Sequence, residues 1–315
     1  MVLSDLIEEE TAGQPTGGKK WIRRSLCKLQ HALSDKAYSL CAQTIRRLLI
    51  KQDIRPKANL KRLVKKAHPD RDQQFVFITE QKDAFLAAGW PVISVDTKDK
   101  ILIGPYKNKG RHWCLRPDSV YMHDFLSEAQ GKAVPYGIYD IIQNQGHIYV
   151  SDSAETPEMA IDAIAHWWHT IGQYLYPDVP ELLILADGGG ANGCRPRRWK
   201  QQLQIKLVDP YNLSVTICHY ATGASKWNPV EHRLFSEVSK TWAGTPLTSF
   251  ELMMDCIEET TTESGLSVKA IRLNKHYEKG LTVTDEEMES LAIEKHATCP
   301  NWNYTIRPRK SESYF

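Results

Sequence analysis

The run Leu182-Leu-Ile-Leu-Ala186 does most to limit what this chain can fold into. It is apolar without alternation, too short for a core helix, and closed by Asp187 and a glycine-rich stretch. That pattern reads as a strand buried on both faces. Such a strand needs a neighbour on each side and helices above and below, which points to an α/β layer structure.

Other segments fall into place around it. VISVD (92–96) and ILI (101–103) are spaced to form a hairpin, and YGIYDII (136–142) pairs with HIYV (147–150) around a turn-like Asn-Gln-Gly. Thr156-Pro157-Glu158 opens a helix, with Thr as N-cap and Pro at the first position. That helix places Ile161, Ile164, Trp168, Ile171 and Leu175 on one face. After LLILA come a helix through Trp199 and Leu203, the strand SVTICHY (214–220), and an element starting at Asn228-Pro229. The order β-β-β-α-β-α-β-α predicts a mixed sheet flanked by helices with ribonuclease-H-like topology, in which the first and fourth strands are adjacent.

The N-terminal part reads differently. Residues 1–18 form a loose leader with a Thr-Ala-Gly-Gln-Pro-Thr-Gly-Gly loop signal. Ile22, Leu26, Leu29 and Leu33 then recur at helical spacing, followed by a second helix with Ile45, Leu48 and Leu49. Two short helices joined tightly, the second bearing Arg46, Arg47 and Lys51, are compatible with a helix-turn-helix. A basic linker follows, so the expected division is 1–71 (helical part and linker) and 72–315 (α/β domain).

Charge separates along the same line. Residues 19–71 hold 16 Lys and Arg against 3 Asp and Glu, a local charge of +13, and the remainder holds 24 against 35, or −11. A basic arm on an acidic body suits a DNA-directed protein, because Lys and Arg displace counterions from phosphates; solvated helix faces would also explain it. No apolar run approaches the roughly 18 residues of a membrane span. The 7 cysteines are dispersed without a C-x-x-C pair, which argues against a disulfide frame and a structural zinc site and for reduced thiols in a cytoplasmic setting.

Three acids end or follow the apolar runs: Asp96, Asp187 and Glu231. Carboxylates beside core strands are costly unless paired, and three together raise one another's pKa unless a divalent cation neutralises them. That is the logic of a two-metal phosphoryl-transfer site. Each has an ordinary alternative. Asp96 can be a turn former, and Asp187 can cap a flexible Gly188–Gly193 turn. Glu231, third after N-cap Asn228, can complete a capping box. The glycine run lacks the Gly-Lys-Ser/Thr of a phosphate-binding P-loop. His166 and His169 share a helix face, but the two tryptophans between them favour packing over metal binding. His219 and His232 lie near the acids in sequence.

At these residues the chain resembles bacterial insertion-sequence transposases of the DDE class with a Rhodopirellula-type DDE domain. The stretches that carry the resemblance are HPDRDQQF, PVISVDTKDKILIG, HDF (123–125), GKAVPYGIYD, LLILADGGGANG, SKWNPVEHRLFS and WNYTIRPR. By this resemblance Asp96, Asp187 and Glu231 are the catalytic triad and the ligands of two Mg²⁺ or Mn²⁺ ions. Arg46, Arg47, Lys51 and Lys226 would contact DNA. The implied activity is hydrolysis at a transposon end, then attack of the freed 3′-hydroxyl on target DNA. The implied setting is cytoplasmic and nucleoid-associated, with a homo-oligomer on DNA. The chain departs from the family pattern in its short leader and in Ala191, where serine is commoner. The alternative is a DNA-binding, non-catalytic remnant of a decayed, N-terminally truncated element; a nuclease that cuts without joining is a third reading.

Overall fold

A computed structural model describes residues 3, 11–13, 20–22, 25–55, 68–221, 223–224 and 227–309. The chain divides into two compact units, Met1–Leu63 and Val64–Phe315.

In the first unit, β1 (Thr11–Gly13) pairs antiparallel with β2 (Lys20–Ile22). The expected loose leader therefore contains a strand, and Ile22 pairs with Thr11 instead of opening a helix. Helix α1 (Leu26–Asp35) starts where Ser25 accepts a hydrogen bond from the Lys28 amide at 3.3 Å, since an N-cap fixes a helix start. Helix α2 (Ala42–Lys51) follows. Leu29, Leu33, Ile45 and Leu49 bury against one another, which leaves Arg46, Arg47 and Lys51 exposed on α2.

The first described helix of the second unit is α3 (Arg71–Ala87), which starts at the expected boundary and for which the sequence signals no element. Its sheet is built from β3 (Val92–Thr97), β4 (Ile101–Ile103), β5 (Gly131–Asp140), β6 (Gln145–Ser151), β7 (Glu181–Asp187) and β8 (Ser214–Tyr220). Later in the chain it adds β9 (Ser267–Leu273), β10 (Ile293–Lys295) and β11 (Asn303–Ile306). The order across the sheet is β10-β11-β8-β7-β3-β5-β6-β9, with β4 on β5. The inner strands β8-β7-β3-β5-β6 carry the ribonuclease-H-like arrangement: β3, β5 and β6 antiparallel, β7 parallel to β3, and β8 parallel to β7.

The hairpin expected between 92–96 and 101–103 does not form. Both strands pair instead with β5, at different points along its length. A 10-residue strand offers two short segments more ladder than either offers the other.

One face of the sheet packs Ile93, Val95, Tyr136, Ile138 and Ile184 against α4 (Pro157–Trp167) and α5 (Arg197–Leu203). Thr156 caps α4 by accepting from the Met159 amide at 3.2 Å. A π-helical turn, Trp168–Gly172, extends α4, so its apolar face departs from simple 3.6-residue spacing. The other face packs Val92, Leu183, Leu185 and Cys218 against α3. It also packs Ile148 and Val150 against a helix that begins as a π-turn, Val230–Phe235, and continues as α6 (Ser236–Thr241), and against α7 (Phe250–Glu258). Leu182 to Leu185 are fully buried, each contributing ~1.5–3 kcal/mol. The 7 cysteines are all free thiols. Among the described residues no helix is long and apolar enough to cross a membrane.

Candidate active site

Asp96 and Asp187 stand at the C-terminal ends of β3 and β7, which run parallel and pair Val95 with Ala186. Side chains alternate along a strand, so Val95 and Ala186 enter the core beneath α4 while the next residue on each strand turns to the opposite face. That is the face on which the Val230–Phe235 turn lies, and Glu231 projects from its first residues.

Two devices hold this turn in place. Gly137 lies opposite Asp96 on β5, and a β-carbon there would sit 2.5 Å from the Phe235 ring. Only a glycine lets the helix approach so closely. Ser94 supplies the second: its hydroxyl donates to Asn228 Oδ1 at 2.5 Å and accepts from the Val230 amide at 2.9 Å. Asn228, fully buried, also donates from Nδ2 to the Val95 carbonyl at 3.2 Å. Asn228 is therefore not the N-cap that the sequence predicted. Its side chain is used on β3, a strand hydroxyl caps the turn, and no capping box holds Glu231.

The three carboxylates sense one another. Asp96 is pushed up to about 8, by burial first, then by the charge of Asp187, with Glu231 adding charge and a shared hydrogen bond. A bond from the Thr97 amide to Asp96 Oδ1, at 2.8 Å, opposes this. Asp187 is raised to about 6 by burial and by Glu231. Asp187 Oδ1 is buried with no hydrogen-bond partner, a costly state for a charged oxygen.

A divalent cation would relieve both the repulsion and the orphaned oxygen. The donors are carboxylate oxygens, which suit a hard ion such as Mg²⁺. His219 contributes no ligand, because its Nδ1 faces the Asp187 carbonyl at 3.1 Å and its Nε2 the Tyr304 hydroxyl at 3.2 Å. Burial lowers its pKa to about 4, so the ring is neutral. Among the described residues no group of three or more His, Cys, Asp or Glu is placed so as to hold a metal ion by itself. Mg²⁺ commonly takes one or two carboxylates with water and substrate phosphate, so the donor set fits an open site completed by substrate.

Gly188 begins the loop beyond Asp187, where a β-carbon would meet the Tyr220 carbonyl at 2.8 Å. The close approach keeps the ends of β7 and β8 together. Behind them, Gln74 of α3 donates to Asn303 Oδ1 at 2.7 Å and to the His219 carbonyl at 2.8 Å, and Asn303 returns a bond to Gln74 Oε1.

Sequence reasoning missed Lys98. Its Nζ donates to Ser239 Oγ at 2.7 Å and sits 5.4 Å from the Phe235 ring. Burial lowers its pKa, and the charges of Glu231 and Asp99 counter this. A lysine two residues past a strand-end aspartate was the available signal. His166 and His169 each face a tyrosine hydroxyl, Tyr149 at 3.0 Å and Tyr211 at 2.9 Å, and do not form a metal pair. His232 is exposed on the π-turn. Arg46, Arg47 and Lys51 belong to the first unit, and Lys226 lies outside the described residues.

No curated protein matches the chain significantly. Solved structures that resemble it include the Mos1 transposase paired-end complex with left transposon end, 14% identical over 78% of this chain and 74% of that chain, with a TM-score of 0.44. The mariner Mos1 paired end complex with Mg is 12% identical over 82% and 69%, again with a TM-score of 0.44. The ribonuclease-H-like assignment rests on the chain's own strand order. A family model described as Rhodopirellula transposase DDE domain matches residues 2–308, and the chain belongs to that family.

Proposed function

We propose that this transposase cuts DNA at the ends of a mobile element and joins the freed 3′-hydroxyl to target DNA, using Asp96, Asp187 and Glu231 as its catalytic carboxylates. The observation that carries the reading is their convergence on one sheet face, with two pKa values raised and Asp187 Oδ1 buried without a partner. Two Mg²⁺ or Mn²⁺ ions, when bound, would activate the attacking oxygen and neutralise charge on the leaving one.

The residues of the chain do the rest. Asp96 and Asp187, fixed on adjacent strands, set the ligand spacing, and Glu231 closes the site from a turn anchored to β3 by Ser94 and Asn228. Lys98 places a cation beside Glu231, where it can meet a substrate phosphate. Arg46, Arg47, Lys51 and Lys226 supply phosphate contacts that hold DNA without reading its sequence. Assembly into a homo-oligomer on DNA, and a cytoplasmic, nucleoid-associated location, belong to the same reading.

The test uses labelled duplex from the element's terminus, with Mg²⁺ or Mn²⁺ and then with EDTA. Wild type should nick and join, and Asp187→Asn should retain the fold while losing about 10³-fold or more in rate, as when a group acting only in the transition state is removed. Undiminished cutting by Asp187→Asn would refute the site. Binding without cutting by wild type would identify a non-catalytic remnant.

A further inference from the structure

Between β4 and β5 the chain makes a long excursion, residues 104–130, that the proposed chemistry does not use. Its root is firmly seated. Asn108 Nδ2 donates to the carbonyls of Trp242 and Thr245 at 3.0 and 3.2 Å, and the Gly244 amide donates to the Lys109 carbonyl at 2.9 Å. The Tyr121 amide returns to the Pro105 carbonyl at 2.8 Å, and the Tyr106 hydroxyl donates to the Phe125 carbonyl at 2.7 Å. Trp242 ends the helix whose first turn carries Glu231, and Lys109 is close enough to Lys98 for their charges to oppose each other. The root thus borders the carboxylate site.

The tip is unlike an ordinary surface loop. Trp113 and Leu115 are wholly exposed, at 103% and 104%. A wholly exposed tryptophan forfeits a large apolar burial, so the position asks for a partner. Lys107, Lys109, Arg111 and Arg116 flank it in sequence, with no Asp or Glu between 104 and 117, although Asp118 of the return limb faces His112 at 3.8 Å. The return limb carries the acids, Asp118, Asp124 and Glu128. Charge is therefore sorted within the loop, with all four cations on the limb that bears the tryptophan. Protein interfaces deplete lysine at their apolar centres, whereas single-strand nucleic-acid surfaces combine cations with an aromatic face.

We propose that this limb, residues 107–116, is a DNA-docking surface in which Trp113 stacks on an unpaired base beside the cut strand and the four cations hold adjacent phosphates. The proposal rests on the DNA-cutting reading above, since a cut strand end is where a base loses its partner. No metal is needed for the contact itself.

Fluorescence anisotropy of the full-length chain in EDTA, on a fluorescein-labelled blunt duplex and the same duplex with a single-stranded tail, tests it. Trp113→Ala should weaken binding to the tailed probe by about 5- to 160-fold, from ~1–3 kcal/mol per stacked base, and binding to the blunt probe by less than about twofold. Trp113→Phe should restore most of the loss. Arg111→Ala and Arg116→Ala should weaken both probes and each lower the salt slope by about 1. Equal binding of the tailed probe by wild type and Trp113→Ala would overturn the proposal while leaving the DNA-cutting reading intact. A wild type that binds neither probe would overturn both. Loss of a dimer by Trp113→Ala in sedimentation, with tailed-probe binding unchanged, would assign the surface to a second copy of the chain and overturn it too.

Discussion

Asp96 and Asp187 are acids whose native pKa values, about 8 and about 6, stand above those of the unfolded chain. Across that interval the native state holds more protons than the unfolded state, so stability falls as pH rises. Their contribution is fully present below about pH 4 and is lost as pH passes through the two native values. Thermal melts in EDTA should show this pair lowering Tm between about pH 5 and pH 8, and Asp187→Asn should flatten the slope. Added Mg²⁺ should raise Tm most at the alkaline end, where both carboxylates are charged and the cation relieves their repulsion. A wild-type Tm no more sensitive to pH than that of Asp187→Asn, or indifferent to Mg²⁺ at pH 8, would argue against coupled carboxylates. Sequence made the positions of these acids legible, because each ends or follows an apolar run. The roles of Ser94 and Asn228 in anchoring the turn, and the Ser239 partner of Lys98, were not legible, because each contact spans more than 130 residues.

Elements fail or succeed here by how closely they can approach. Gly137→Val would drive a side chain into Phe235, costing about 1–3 kcal/mol through overpacking and moving the turn that carries Glu231. Cleavage should drop by about 10²-fold if that carboxylate shifts by an ångström, while the far-UV circular dichroism spectrum persists. Gln74→Ala should cost about 1–3 kcal/mol in urea melts by leaving Asn303 Oδ1 buried without its donor, while Asn303 Nδ2 keeps its bond to the Thr298 carbonyl. The same pair explains why α3 escaped the sequence reading: one of its buried positions is a glutamine, justified by partners 145 and 229 residues away, the His219 carbonyl and Asn303. Strand β7 was legible because burial on both faces leaves an uninterrupted apolar run, and β8 because Val215, Thr216 and Ile217 are β-branched. The strands β9 and β10 were not, since each mixes charged and apolar residues along partly exposed backbone. The hairpin misreading has the same origin: short spacing favours a local partner, and only the folded sheet shows that β5 competes for both segments.

At the scale of the whole chain, charge is divided between a first unit rich in Lys and Arg and a body that carries the carboxylates. Replacing Arg46, Arg47 and Lys51 together with alanine should reduce the slope of log K against log salt by about 2 to 3 for a duplex probe, at about 0.9 per phosphate contact. An unchanged slope would remove α2 from the DNA interface. The interleaved strand order has a consequence for synthesis. The acids lie at 96, 187 and 231, and the strand supplying Asn303 and Tyr304 comes near the chain's end. A ribosome that stalls before residue 231 releases two carboxylates without the third. One that stalls before residue 303 releases all three, with the ring of His219 and the amide of Gln74 lacking the partners that brace them. On the proposed chemistry, the carboxylate set is therefore complete only once residue 231 is in place, and its bracing only once residues 303 and 304 are.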